Sequence, residues 1–176
     1  SWRTSKWRKP LILQGARQVG KTYSLLELGR AAYDNVAYFN FETDPGLAKV
    51  FEESISPSEL VPSLSVRSGR DILPERTLVV FDEVQLCERA LASLKYFCEE
   101  APQYHVAAAG SLLGVAVNRS AFSFPVGKVD MVTMRPMDLE EFMLALGEGA
   151  IVKKIKACFE TGEPMPQAFH ERALEL

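Results

Sequence analysis

The feature that most constrains this chain is the run Gly-Ala-Arg-Gln-Val-Gly-Lys-Thr at residues 15–22, which fits the pattern G-x-x-x-x-G-K-[ST]. An apolar segment, residues 10–13, precedes the run, and a segment with helical spacing follows it. A strand, a glycine loop and a helix N-terminus in this order aim several backbone N–H groups at one point, which suits a polyphosphate. The pattern therefore predicts an α/β fold of the P-loop NTPase type.

Each part of this loop has an expected role in binding a nucleotide. Gly15 and Gly20 allow the backbone to approach phosphate oxygens closely. Lys21 is expected to reach the β- and γ-phosphates, and Thr22 to offer its hydroxyl to Mg²⁺. The side chain of Arg17 occupies a variable position and can point outward. The predicted nucleotide-binding residues are Gly15, Ala16, Arg17, Gln18, Val19, Gly20, Lys21, Thr22 and Tyr23.

Composition narrows the class of protein. A chain of 176 residues, 47% hydrophobic and 24% charged, suits one globular domain with or without a further fragment. We find no apolar run long enough for a bilayer and no signal peptide, and the three cysteines lack metal-ligand spacing, so we expect a cytoplasmic protein without membrane contact. The net charge of −3 does not indicate nucleic acid as a partner.

The charge is unevenly distributed. Residues 1–30 carry seven basic side chains and one acidic side chain. A positive segment around the loop fits a polyanionic ligand. A solvated lead-in to the first strand explains the basic residues before position 10 equally well, so both interpretations stay open.

Alternating strand and helix patterns predict a mostly parallel sheet with helices on both faces. The predicted strands are residues 10–14, 36–41, 77–82, 105–109 and 129–134, and the first four are continuous apolar runs, as in strands buried on both faces. The predicted helices are 20–32, 45–54, 86–100, 138–146, 151–159 and 166 to the end. Residues 55–76 and 110–128 are predicted to be loops because both contain several prolines and glycines.

A second group of residues follows the third predicted strand, where Asp82 and Glu83 come directly after four apolar residues. Asp82 is predicted to hold Mg²⁺, and Glu83 to act as the base that activates a hydrolytic water. One large branch of NTP hydrolases needs a glutamate at this position, whereas P-loop enzymes that phosphorylate small molecules generally do not. Gln85 is interpreted as a surface residue, with contact to the water as the alternative.

Four further residues are candidates for catalysis. Ser111 ends the fourth strand and is expected to hydrogen-bond the water or the γ-phosphate, if that strand lies between the first and the third. A cap of the local turn explains Ser111 equally well. Such sites also use a cation that neutralises developing charge, and Arg119 and Lys128 are the candidates, with Arg135 as a further one. A surface position explains each cation more simply.

Six segments together resemble a family of prokaryotic AAA-type ATPases, in which an ATPase domain precedes a C-terminal domain of unknown function. The segments are residues 15–22, 38–42, 81–85, 108–114, 124–129 and 136–142. The resemblance covers about residues 8–146 and implies ATP as the nucleotide. It also implies a sheet order of 5-1-4-3-2 of the additional-strand, catalytic-glutamate type.

The resemblance assigns the same roles to individual residues. It gives Lys21 and Thr22 the phosphate and Mg²⁺ roles, Asp82 the metal role, Glu83 the base role and Ser111 a polar sensor role. Two positions depart from the family: many relatives have arginine where this chain has Lys128, and an aromatic residue where it has Arg135.

We expect residues 1–147 to form the ATPase domain and residues 148–176 to form a helical segment that begins a truncated C-terminal domain, since the last helix reaches Leu176 without a capping signal. The leading hypothesis is an ATP hydrolase that couples its nucleotide state, ATP or ADP, to that domain, to a second copy or to another protein. The alternatives are a nucleotide-dependent switch with negligible turnover and a small-molecule phosphotransferase. DNA binding is considered only for the missing domain.

Overall fold

The structure, a computed structural model, describes residues 2–111 and 124–175. Its centre is one five-stranded sheet, formed by β1 Leu11–Gly15, β2 Asn35–Asn40, β3 Thr77–Asp82, β4 His105–Gly110 and β5 Asp130–Met134. The strand order is β2-β3-β4-β1-β5, and the neighbouring strands pair in parallel. The predicted order, 5-1-4-3-2, is therefore confirmed, as is the position of the fourth strand between the first and the third.

Each of the six predicted helices has a counterpart in the structure. The helices in the described part of the chain are α1 Lys21–Ala32, α2 Leu47–Glu53, α3 Pro57–Ser68, α4 Glu88–Glu100, α5 Leu139–Ala145, α6 Gly149–Thr161 and α7 Gln167–Leu174. Helix α5 begins with a capping box. The Asp138 carboxylate accepts the backbone N–H of Glu141 at 2.8 Å, and the Glu141 carboxylate accepts that of Asp138 at 3.0 Å.

The predicted loop at residues 55–76 is wrong, because α3 lies within it. Pro57 occupies the first helical position, where a missing backbone N–H costs little. Gly69 ends the helix in the left-handed conformation, with φ of 64°. Leu60 and Leu64 recur at helical spacing and are buried against the core. Proline and glycine here mark the two ends of a helix. The second predicted loop, 110–128, falls largely on residues 112–123, which lie outside the described residues.

The sheet has an apolar core on each face because successive strand side chains point to opposite sides. One face joins Phe39, Val79 and Phe81 to residues of α2, α3 and α4, among them Phe51 and Phe97. The other face packs Leu11, Leu13, Leu78 and Val80 against Leu25 of α1. Strands β3 and β4 are buried along their whole length, as their continuous apolar sequences predict. The polar ends of these strands are therefore held in a rigid frame.

Contacts divide the chain into two compact units, residues 1–135 and residues 136–176. The second unit contains α5, α6 and α7, and its small core consists of Met143, Ile151 and Val152. The sequence predicts a domain boundary between residues 147 and 148, whereas the contacts place α5 with the later helices. The assignment of these units as functional domains stays a prediction. Within the described residues, no helix has the length and apolar character needed to cross a membrane.

Candidate functional site

The glycine loop joins the end of β1 to the start of α1, as its sequence predicts. Glycine is required at position 15 because the backbone there lies too close to the backbone of β5 for a side chain to fit. A Cβ atom at this position would lie 2.2 Å from the carbonyl oxygen of Met134 at the end of β5. Gly20 caps α1 with φ of 92°, a conformation that side-chain-bearing residues rarely adopt. The loop therefore wraps tightly around the N-terminus of α1, where backbone N–H groups and the helix dipole favour an anion.

Lys21 lies inside this loop and is buried, with 6% of its surface exposed. Its ammonium Nζ donates to the carbonyl oxygens of Gly15 at 3.1 Å and Ala16 at 2.6 Å. A buried ammonium needs such acceptors, because an unpaired charge away from water is costly. The two bonds hold the positive charge in the loop, where it can meet a phosphate oxygen. Arg17, Gln18 and Tyr23, by contrast, are exposed.

The loop and the acidic pair meet at the carboxyl ends of β1 and β3. Thr22 Oγ1 donates a hydrogen bond of 2.8 Å to Oδ2 of Asp82, which is 3% exposed. The other carboxylate oxygen of Asp82 accepts the backbone N–H of Glu83 at 3.0 Å. A hydroxyl and one carboxylate beside a phosphate site fit Mg²⁺, which takes few protein ligands and completes its shell with phosphate and water. Among the described residues there is no cluster of three or more His, Cys, Asp or Glu side chains that would suit a metal held by protein alone.

Sequence reasoning missed two residues of this cluster, Tyr38 and Asn40 on β2. Tyr38 donates a hydrogen bond of 2.6 Å from its hydroxyl to Oδ2 of Asp82. The amide of Asn40 donates to the Tyr38 hydroxyl at 3.1 Å and to Asp82 Oδ2 at 3.4 Å. Burial, followed by the hydrogen bond to Asp82, raises the pKa of Tyr38 to about 12. Tyr38 is therefore a stable donor at neutral pH, and it fixes the carboxylate together with Thr22.

A signal for these residues existed in the sequence. Tyr38 and Asn40 are polar residues that alternate with the apolar Ala37 and Phe39, and they therefore share one side of the strand. The parallel pairing of β2 with β3 places Asn40 opposite Asp82. Only the register of that pairing, which is not visible in the sequence, identifies Asp82 as their partner.

Glu83 and Ser111 are joined by Gln85. The backbone of Glu83 adopts φ of 52°, a left-handed conformation that is uncommon for residues with a side chain and that clusters at functional sites. The Gln85 amide donates to Oε2 of Glu83 and, at 3.5 Å, to Oγ of Ser111, which is 3% exposed. The structure thus brings the predicted base and the predicted sensor together. Gln85 lies in this cluster and is half-buried, so its interpretation as a surface residue is wrong.

The structure does not bring Lys128 to the loop. Lys128 precedes β5 and therefore lies at the amino-terminal edge of the sheet, opposite the carboxyl ends that carry Gly15 and Asp82. Its ammonium pairs with Glu99 near the end of α4 at 2.9 Å. This placement argues against the catalytic role predicted for Lys128 within one chain. Arg119, the other candidate cation, lies outside the described residues.

Comparison with solved structures finds distant similarity. The Aeropyrum pernix ORC1 protein, solved in complex with DNA, is 15% identical with a TM-score of 0.45, over 81% of this chain and 44% of that one. PCH-2 of C. elegans is 13% identical with a TM-score of 0.42, over 90% of this chain and 42% of that one. This chain thus spans less than half the length of either protein. No curated protein matches its sequence.

Family models give the stronger result. The family model described as an AAA domain matches residues 7–143, which include the glycine loop, Asp82, Glu83 and Ser111. Together with the parallel sheet and the loop that holds Lys21, this match shows that the chain belongs to the AAA family of P-loop ATPase domains.

Proposed function

We propose that this chain binds Mg·ATP and hydrolyses it. The observation that carries the proposal is the contact of 2.8 Å between Thr22 Oγ1 and Asp82 Oδ2, directly beside Glu83. This contact places the two expected oxygen ligands of Mg²⁺ next to the loop that holds Lys21. Hydrolysis needs one more element, a base near the γ-phosphate, and Glu83 is the carboxylate adjacent to this cluster.

Each residue then has one task. Lys21 donates to the β- and γ-phosphate oxygens with two of its three N–H groups, and the third keeps a bond to the carbonyl of Gly15 or Ala16. Thr22 and Asp82 would hold Mg²⁺, which supplies charge neutralisation at the phosphates when bound. Glu83 accepts a proton from water as the water oxygen attacks the γ-phosphorus, and the bond to the bridging oxygen of ADP breaks. Ser111 donates a hydrogen bond to the transferred group or to the water.

The test is phosphate release from Mg·ATP with nucleotide binding measured in parallel. We expect Lys21→Ala to weaken ATP binding, and Glu83→Gln to bind ATP while phosphate release falls by about 100-fold or more. Lys49→Ala and Glu53→Gln are the matched controls, because both residues are exposed on α2. Phosphate release that is unchanged in Glu83→Gln would contradict the proposal.

A nucleotide-dependent switch with negligible turnover is the second candidate. The observation that favours it is the pairing of Lys128 with Glu99 at the opposite edge of the sheet, which removes one predicted source of charge neutralisation. In that case the neutralising cation comes from a partner, such as a second copy. ATP-dependent protection from protease without phosphate release would support the switch, and fast turnover by the isolated chain would exclude it.

We further propose that nucleotide state is coupled to the part of the chain that follows the ATPase domain. The core of Met143, Ile151 and Val152 supports this proposal, because it packs α5, the last helix of the predicted ATPase domain over residues 1–147, against α6 of the predicted helical segment over residues 148–176. Comparing hydrogen exchange in α6 and α7 with ATP and with ADP tests the coupling, and equal exchange in both states would contradict it.

A further inference from the structure

Gln85 connects the proposed base, Glu83, with the proposed sensor, Ser111. Its amide Nε2 donates to Oε2 of Glu83 and to Oγ of Ser111, the latter at 3.5 Å. The backbone under Gln85 is a tight 3-10 turn, Val84–Leu86, that follows β3 directly. Within it the N–H of Leu86 donates to the carbonyl of Glu83 at 3.0 Å, and Val84 is fully buried. The backbone that carries the Gln85 side chain is therefore fixed relative to Glu83 and Ser111.

The orientation of the amide follows from the chemistry of its partners. Nε2 carries two protons, and Glu83 and Ser111 each offer an oxygen to accept one. The carbonyl Oε1 of Gln85 is buried without a hydrogen-bond partner among the described residues. A buried carbonyl without a partner costs free energy, and such groups concentrate at functional sites. The amide of Gln85 therefore donates to Glu83 and Ser111 while its own carbonyl has no partner among the described residues.

This bridge has a consequence for each partner. Because Oε2 of Glu83 accepts from Gln85, the second oxygen of the carboxylate is the one left to take a proton from water. Because Oγ of Ser111 accepts from Gln85, its own O–H points elsewhere and can donate to a phosphate oxygen. A base and a donor with fixed orientations lower the cost of reorganisation in the transition state.

We propose that Gln85 is a positioning residue for ATP hydrolysis, which orients the Glu83 carboxylate as the base and fixes the Ser111 hydroxyl as a donor. This inference rests on the proposed function. Gln85 acts through its neighbours, and its removal therefore affects the chemical step more than ATP binding.

The experiment compares kcat and the Kd of Mg·ATP in wild type, Gln85→Leu and Gln85→Glu. Leucine removes the donor, and glutamate keeps the shape while replacing the donor with an acceptor. We expect kcat to fall by about 10- to 100-fold in both variants, the effect of losing a hydrogen bond to a charged group in the transition state. The Kd of Mg·ATP should stay within about twofold of wild type. Gln103→Leu is the matched control, because Gln103 is exposed just before β4, at the other edge of the sheet.

A double-mutant cycle separates positioning from a general structural role. Because Gln85 acts in part through Glu83, adding Gln85→Leu to Glu83→Gln should lower kcat by clearly less than Gln85→Leu lowers it in wild type. Full additivity would overturn the inference. So would a normal kcat in Gln85→Glu beside a low one in Gln85→Leu, since shape alone would then account for the effect.

The outcomes also distinguish this inference from the proposed function. If wild type hydrolyses ATP, Glu83→Gln does not, and both Gln85 variants keep the wild-type kcat, only the role of Gln85 is overturned. If wild type releases no phosphate, both statements are overturned. Thermal unfolding of every variant shows whether a loss of activity reflects loss of folded protein.

Discussion

The hydroxyl of Thr22 donates a hydrogen bond of 2.8 Å to Oδ2 of Asp82, across 60 positions of sequence. The bond ties the first turn of α1 to the end of β3, one of the central strands of the sheet. The two oxygens that are proposed to hold Mg²⁺ thus lie side by side near the N-terminus of α1, beside the residue Lys21. The proposed function depends on this relationship more than on any other contact.

The first prediction concerns the metal dependence of ATP binding. Thr22→Ala removes the hydroxyl, and we expect the Mg²⁺-dependent part of ATP affinity to fall by about 10- to 100-fold, as when a metal site loses a ligand or its support. ATP affinity in EDTA should change little. Thr22→Ser restores the hydroxyl and is the control. Calorimetric titration with and without Mg²⁺ measures the difference, and full Mg²⁺ dependence in Thr22→Ala would contradict the metal role.

The second prediction concerns Tyr38. Tyr38→Phe removes a donor to Asp82 and should lower the free energy of unfolding by about 1 kcal/mol at pH 8, a modest value because the ring is half-exposed. The folded pKa of about 12 lies above the value of 10.0 expected in the unfolded chain. The unfolded chain therefore loses this proton first, and the contribution of Tyr38 declines as the pH rises from about 10 to 12.

Urea unfolding at several alkaline pH values measures this effect. Tyr96→Phe, on α4 and away from the site, is the control for the loss of a phenol group. A difference between wild type and Tyr38→Phe that does not shrink as the pH rises would show that Tyr38 does not titrate as its contacts require.

The third prediction concerns Gly15. Any added Cβ would lie 2.2 Å from the backbone oxygen of Met134, so β1 and the end of β5 must separate to admit it. We expect Gly15→Ala to destabilise the fold by roughly 1–3 kcal/mol, as for overpacked sites, and to weaken ATP binding. Gly149→Ala is the control, since its nearest neighbour is a side-chain atom of Leu144 at 3.7 Å. Equal stability of Gly15→Ala and wild type would show that the loop is not held against β5.

Sequence patterns predicted most of the strands and helices and the loop that joins β1 to α1. The loop at residues 15–22, the acidic pair and the alternation of strands and helices depend on local chemistry, and family resemblance supplied the strand order. The role of Tyr38 and Asn40 was not predicted, because it depends on the register between β2 and β3. Helix α3 was predicted to be a loop, because Pro57 and Gly69 are equally typical of loops and of helix ends. Lys128 was a candidate cation with a surface position as the simpler explanation, and its place before β5, at the amino-terminal edge of the sheet, favours the surface position.

The fourth prediction concerns stability in acid. His105 is buried beside Trp2 and Tyr33, and its Nδ1 lies 2.7 Å from the Tyr33 hydroxyl. Burial, and then the charges of Arg8 and Arg3, lower its pKa to about 4. The unfolded chain therefore binds a proton first as the pH falls, so stability is complete above about pH 6.5 and declines towards pH 4, by up to about 3 kcal/mol.

His105→Phe removes this titration and should flatten the fall in unfolding free energy between about pH 6.5 and pH 4. Phenylalanine also keeps the aromatic contacts with Trp2 and Tyr33. His170→Phe, exposed on α7, is the control for the replacement of an imidazole by a phenyl ring. An identical acid profile in wild type and His105→Phe would contradict the assignment.

Glu83 is proposed as the base for hydrolysis of ATP held by Lys21, Thr22 and Asp82. The identity of the nucleotide recovered from the protein after incubation with Mg·ATP tests this role. We expect ADP and phosphate from wild type, and intact ATP from Glu83→Gln in comparable amount. Recovery of ADP from both proteins, or of intact ATP from both, would contradict it.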